Sequence, residues 1–225
     1  MNNFNRELGF EQKVRECIIK DGTYTGWLAK IIESDFPEYK VEGYNVIKYK
    51  TDKFGNPTPF GQAQLDGIDI VIYIRNEKNP NDMSHIYIQE KATRKKCNMT
   101  GKYGFNMEFE IVNKNRKQGW ACDLNRVHYL IYYYKDCTVI INGLGEICKI
   151  CNNLYNVWKE NGGKYQDNMS FTIDPLRNQK MKVNKSDGSE EKYWSITTFF
   201  SEKYVLNSRV YNIRKEKYHY RIDEE

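Results

Sequence analysis

Two apolar runs constrain this chain more than any other feature. "LDGIDIVIYIR" (65–75) and "SHIYIQEKAT" (84–93) are rich in β-branched and aromatic residues, and a polar turn, "NEKNPNDM", separates them. Their length and spacing predict two buried strands joined by that turn. Each run also carries residues that a buried strand should avoid. Asp69 sits among Ile, Val and Tyr, and the second run ends on Gln89-Glu90-Lys91. A lone carboxylate in an apolar strand is costly unless a partner or a cation neutralises it. Side chains alternate across a strand, so Gln89 and Lys91 point one way and Glu90 the other.

The remaining sequence supplies elements to pack on these strands. "FEQKVRECIIKDG" places Phe10, Val14, Cys17 and Ile18 at helical spacing, and Asp21-Gly22 stops it. "TGWLAKIIESDFPEY" predicts a second helix that ends before Pro37. "KVEGYNVIKYK" predicts a strand, followed by the Gly/Pro-rich loop "TDKFGNPTPFGQAQ". In "FNMEFEIV", Phe105, Met107, Phe109 and Ile111 alternate with Asn106, Glu108 and Glu110, the pattern of a half-exposed strand. "RVHYLIYYYKDCTVIIN" reads as two strands around a Lys135-Asp136 turn, with a helix from about Leu144 to Glu160 after it. Beyond residue 161, "MSFTIDP", "YWSITTFF" and "RVYNIRKEKYHYRI" are short β-like runs among polar turns. The expected fold is therefore α/β, with residues 1–160 forming the core and 161–225 a β-rich extension packed on it.

Composition bounds the function loosely. The 225 residues carry a formal net charge of +5, which permits a polyanionic partner without requiring one. No run of 18 apolar residues occurs and "MNNFNRELGF" lacks the order of a secretory signal, so the expected location is the cytoplasm. There the six cysteines stay reduced. "CKIC" (148–151) has the spacing of half a zinc site, but Cys148 and Cys151 share a helical face with Leu144, Ile147, Leu154 and Trp158 and read as core. No Ser/His/Asp order, phosphate loop or dinucleotide fingerprint is present.

If the two central strands are neighbours, Asp69, Gln89 and Lys91 can converge at one end of the sheet. A carboxylate and an amide oxygen suit a hard divalent cation such as Mg²⁺, and an ammonium beside them can steady an attacking water and offset phosphate charge. The layout resembles the PD-(D/E)XK nuclease superfamily, in which an acid on one strand precedes acid-x-lysine on the next. Glutamine replaces the second acid, as in the Mrr-like branch of restriction endonucleases, whose signature runs D-G-x-I-D and then Q-x-K. Here the chain reads "LDGID" (65–69), with Asp66 and Asp69, and "IQEK" (88–91). "TGKYGFNMEFEI" and "GWACDLNRVHYLIYYY" are similar to phage-type members of that superfamily.

The resemblance covers about residues 7–142 as topology. It implies a restriction-endonuclease-like mixed sheet flanked by helices, and a Mg²⁺- or Mn²⁺-dependent endonuclease acting on DNA. It implies that Asp69, Gln89 and Lys91 are catalytic. The metal would be held by Asp69, Gln89 and the Glu90 backbone, with Glu108 or the helical Glu11 of "GFEQKV" completing the set. Arg94, Lys95 and Lys96 of "KATRKK" would contact phosphates, and a homodimer would cut two strands.

Plainer roles stand beside each of these. Lys91 can snorkel to water, Asp69 can be a surface residue where the strand frays, and Asp66 before Gly67 suits a turn. Glu108 and Glu110 suit a solvated face, Glu11 an exposed helix with Glu16 and Glu33 as rivals, and "KATRKK" a solvated loop. His128 reads as a core histidine and Trp120 as a packing anchor. With glutamine at 89 the same scaffold can also serve as a catalytically decayed nucleic-acid-binding protein, or as a phage or defence interaction protein.

Overall fold

The computed structural model describes residues 13–47, 52–54, 56, 58, 59, 67–94, 96, 97, 109–112, 117–163, 175–183, 190–198 and 212–217. Helix α1 covers residues 13–20 and α2 covers Trp27–Asp35. Strands β1 (Tyr39–Val46), β2 (Ile70–Asn76) and β3 (Met83–Ala92) follow, then β4 (Phe109–Val112) and a 3-10 helix (Trp120–Arg126). Next come β5 (Tyr129–Tyr133), β6 (Cys137–Asn142), α3 (Gly145–Glu160), β7 (Pro175–Val183), β8 (Glu190–Thr198) and β9 (Asn212–Lys217).

The main sheet has the order β1-β2-β3-β5-β6-β9. Neighbours are antiparallel except β3 and β5, which run parallel with Glu90 opposite Ile131, so the sheet is mixed. A second sheet of order β4-β8-β7 is antiparallel throughout. Helices cover both faces of the main sheet. Val14, Ile18, Leu28 and Ile32 of α1 and α2 bury Ile70, Ile72, Ile86, Ile88 and Ile131 on one side. On the other side, Ile147, Cys151 and Leu154 of α3 cluster with Leu130, Val139 and Ile141. All five residues of β5 are buried, as a strand covered on both faces must be.

The expected α/β architecture with helices around a mixed sheet is present. Residues beyond 161 complete it, since β9 joins the main sheet against β6 and β8 pairs with β4. Strand β7 occupies "PLRNQKMKV", too polar to read as a strand, while "MSFTIDP" lies outside the described residues except for its final Pro175. Cys148 and Cys151 are buried, and the Cys148 thiol donates to the Cys122 carbonyl at 2.9 Å. His128 corrects the core reading: it is exposed, just before β5 begins. Among the described residues no helix is long and apolar enough to cross a membrane.

One close approach holds β4 to the 3-10 helix. Gly119 donates its N–H to Ile111 at 3.0 Å, and a Cβ there would lie 2.2 Å from the Glu110 carbonyl oxygen. Gly119→Ala must therefore push these backbone segments apart, and a loss of about 2 kcal/mol is expected. For a chain of this size that lowers Tm by roughly 4–8 °C. An unchanged melting curve would show that the segments separate freely.

Candidate functional site

Strand β2 does not begin where its apolar run does. Gly67 has φ of 80°, a left-handed conformation that glycine adopts without strain, and it turns the chain into the strand. Ile70 pairs with Ile88, yet the Asp69 N–H also bonds to the Ile88 carbonyl at 2.9 Å. Two residues thus face one, and alternation breaks: Ile68 joins the α3-side cluster although Ile70 belongs to the α1 side. The Asp69 carboxylate consequently turns to the α1 side. Its Oδ2 accepts the Glu90 N–H at 2.9 Å, and its Oδ1 lies 3.3 Å from Arg15 Nη2.

Glu90 is the second acid of this corner. Its side chain is 4% exposed and lies in line with Ile88 and Ala92 against α1 and α2. The Tyr24 hydroxyl bonds to it at 2.8 Å, the Tyr133 hydroxyl donates to Oε1 at 2.7 Å, and Arg15 Nε donates to Oε2 at 3.3 Å. Burial pushes the Glu90 carboxyl above its usual range despite the opposing pull of Arg15 and the two hydroxyls. Burial, then Glu90, push the Tyr24 hydroxyl far up, so it remains a donor. Burial alone would lower Arg15, but Asp69 and Glu90 outweigh it and hold the guanidinium charged. One cation thus serves two acids in a partly dry corner.

Gln89 and Lys91 project from the opposite face of β3, as alternation requires. Gln89 is 3% exposed, and its Oε1 is a buried acceptor with no hydrogen-bond partner among the described residues. That oxygen lies 3.5 Å from the position a Cβ on Gly67 would take. Lys91 is half-buried, with its ammonium 5.1 Å from the centre of the Trp120 ring. Trp120, packed 5.7 Å from Phe109, is the anchor it was expected to be. At the sheet's end a small cleft is lined by Val14, Arg15, Glu90, Lys91, Ala92 and Tyr133. Lys91 is thus part of the cleft lining, while its ammonium rests against Trp120.

The expected side-chain set is thus divided. Asp69 meets Glu90 and Arg15, while Gln89 and Lys91 share the other face. Arg94 and Lys96 are exposed just beyond β3, and Glu33 is tied to the Val41 N–H at 3.0 Å, away from the site. Asp66, Glu11, Glu108 and Lys95 lie outside the described residues. Arg15, Tyr24 and Tyr133 were missed by sequence reasoning. Their signal was faint: Arg15 borders the buried Val14–Ile18 stripe, and the tyrosines look like ordinary core. The chain matches no protein-family model, no curated protein and no solved structure.

The oxygen donors at this end of the sheet fit a divalent cation in kind. The unpartnered Gln89 Oε1 and the Asp69 carboxylate are both of the hard-oxygen type that Mg²⁺ and Mn²⁺ prefer. Both arise next to Ile88, whose carbonyl binds the Asp69 N–H. As placed, the two oxygens stand on opposite faces of the sheet, so the described residues fit such an ion in kind but not in arrangement.

Proposed function

We propose that this chain is a metal-dependent nuclease that hydrolyses phosphodiester bonds of DNA, on a restriction-endonuclease-like fold. The single observation that carries this reading is the orphaned Gln89 oxygen. A buried acceptor without a partner costs about 1–3 kcal/mol, and it lies two residues from a lysine and beside the strand end that bears Asp69. The order Asp69, Gln89, Lys91 follows the Mrr-like signature, and the mixed sheet with helices on both faces agrees with the fold that this resemblance implies.

Gln89 Oε1 would hold the ion on the face that it shares with Lys91, and Asp69, which stands on the other face, would have to leave Arg15 and turn across the strand end to join it. When bound, such an ion lowers the pKa of a coordinated water and offsets phosphate charge. Lys91 orients the nucleophile and balances charge that develops on the phosphate. Arg15, once released from Asp69, is a second cation at the cleft. Glu90, held by Tyr24 and Tyr133, keeps the Arg15 side chain in reach.

The test is nicking of plasmid DNA with Mg²⁺, Mn²⁺ or EDTA. Metal-dependent cleavage that EDTA removes is the expected result, and no cleavage with either ion refutes the proposal. A second reading, a nucleic-acid-binding protein that does not cut, is favoured by one observation: both Asp69 carboxylate oxygens already have partners. Under that reading Mn²⁺ at millimolar concentration leaves Tm unchanged, whereas a bound ion raises it.

A further inference from the structure

The face of β3 that bears Gln89 and Lys91 also bears a row of rings. Tyr73 and His85 face each other directly across β2 and β3, with centroids 5.2 Å apart. His85 and Tyr87 stand 6.3 Å apart with planes within 5° of parallel, and His128 follows Tyr87 at 5.6 Å. Cross-strand ring pairs commonly stabilise a sheet, but that role does not call for exposure. His85 and His128 are exposed, and Met83 at the end of the row is 49% exposed.

The rings are held in place. Asn45 Nδ2 donates to the Tyr73 hydroxyl at 2.6 Å. The Tyr87 N–H donates to His128 Nδ1 at 3.1 Å, and the His128 N–H returns to the Tyr87 carbonyl at 2.8 Å. A pre-set platform loses little freedom on binding. The charge along this face suits a polyanion. The side chains that β3 places here are Met83, His85, Tyr87, Gln89 and Lys91, none of them acidic, and β2 adds Val71, Tyr73 and Arg75. Glu42 of β1 is neutralised by Arg75. Arg94 and Lys96 stand exposed just beyond the strand.

We propose that the Tyr73–His85–Tyr87–His128 row is a stacking platform for single-stranded DNA, which β3 leads toward Gln89 and Lys91. The spacing argues for unpaired bases. Alternate residues of a strand are about 6.6 Å apart, and His85 and Tyr87, the parallel rings that alternate along β3, are 6.3 Å apart. Stacked bases rise only about 3.4 Å per step, so bases must move away from one another to meet successive rings. A duplex cannot do this without opening, whereas rings that accept any base face are typical of single-strand binding. The direction toward Lys91 rests on the nuclease reading; the platform does not.

The measurement is fluorescence anisotropy of a labelled thymidine homopolymer of about twenty nucleotides, compared with a duplex of equal length, at low salt in EDTA. The full chain is expected to bind the single strand at least roughly tenfold more tightly than the duplex. His85→Ala should weaken single-strand binding by roughly tenfold, and His85→Tyr should restore it. Because His85 is exposed, circular dichroism should show both variants folded. Equal affinity for duplex, no binding of the homopolymer, or unchanged binding by folded His85→Ala would each overturn the platform. Binding as expected, without Mn²⁺-dependent cleavage, would leave the platform standing and remove the nuclease reading.

Discussion

Under the proposed nuclease reading, Lys91→Ala is expected to lower DNA cleavage by at least about 100-fold while DNA binding changes no more than about twofold. Under that reading the ammonium is the group that meets a phosphate oxygen or an attacking water, and alanine supplies no substitute. Its resting contact is the Trp120 ring, 5.1 Å away, so the substitution removes one cation–π contact from the fold. Such a contact contributes about 0.5–1 kcal/mol when partly exposed, too little to unfold a domain of this size. Lost cleavage with a near-native melting curve would therefore place Lys91 in the chemistry. Full turnover by Lys91→Ala would remove it from any catalytic role.

The second large effect is on stability, through Arg15→Met. Methionine keeps most of the side-chain length but leaves Asp69 and Glu90 without their shared cation. Removing one partner of a buried ion pair costs about 3–5 kcal/mol. Arg15 is 28% exposed and Tyr24 and Tyr133 still donate to Glu90, so about 3 kcal/mol is the expected loss near neutral pH. The pH dependence follows from Glu90. Its folded-state pKa already lies above the ordinary 4.5, so the native state holds its proton to higher pH than the unfolded chain does. Stability then falls as pH rises from the unfolded value through the folded one. Without Arg15 that folded value climbs further and the fall grows larger. Denaturant melts of both proteins at pH 4 and pH 7.5 check this. The gap between them should narrow at the lower pH, and an equal gap at both would mean that Glu90 is not the group left uncompensated.

Arg15 also explains why the site was only partly legible. Regular alternation correctly put Gln89 and Lys91 on one face and Glu90 on the other. Adjacency of the two strands was expected to let Asp69 converge with Gln89 and Lys91, but the strands are neighbours and Asp69 turns to the other face. The doubled pairing of Asp69 and Ile70 against Ile88 shifts the phase by one residue, and no residue type in "GIDIVIYIR" marks that irregularity. The buried acid was predicted to need a partner, and it has one, but the partner is a guanidinium from α1. His128 was misplaced for a related reason: its apolar neighbours suggested a core position, while the strand begins one residue later.

Local physics determined the elements. Apolar period, β-branched content and the stop signals at Asp21-Gly22 and Pro37 specify the helices and central strands from nearby residues alone, because each depends on the chain's own backbone preferences. Those same residues determined that two acids, an amide and a lysine would arise at one end of one hairpin. Only the tertiary structure decided which of them meet. It brought Arg15 and Tyr24 from the N-terminal segment and Tyr133 from the strand beside β3, and it left Gln89 Oε1 without a partner among the described residues. Such contacts depend on how α1 settles across the sheet and on a one-residue slip at a strand edge, both fixed by the packing of distant side chains.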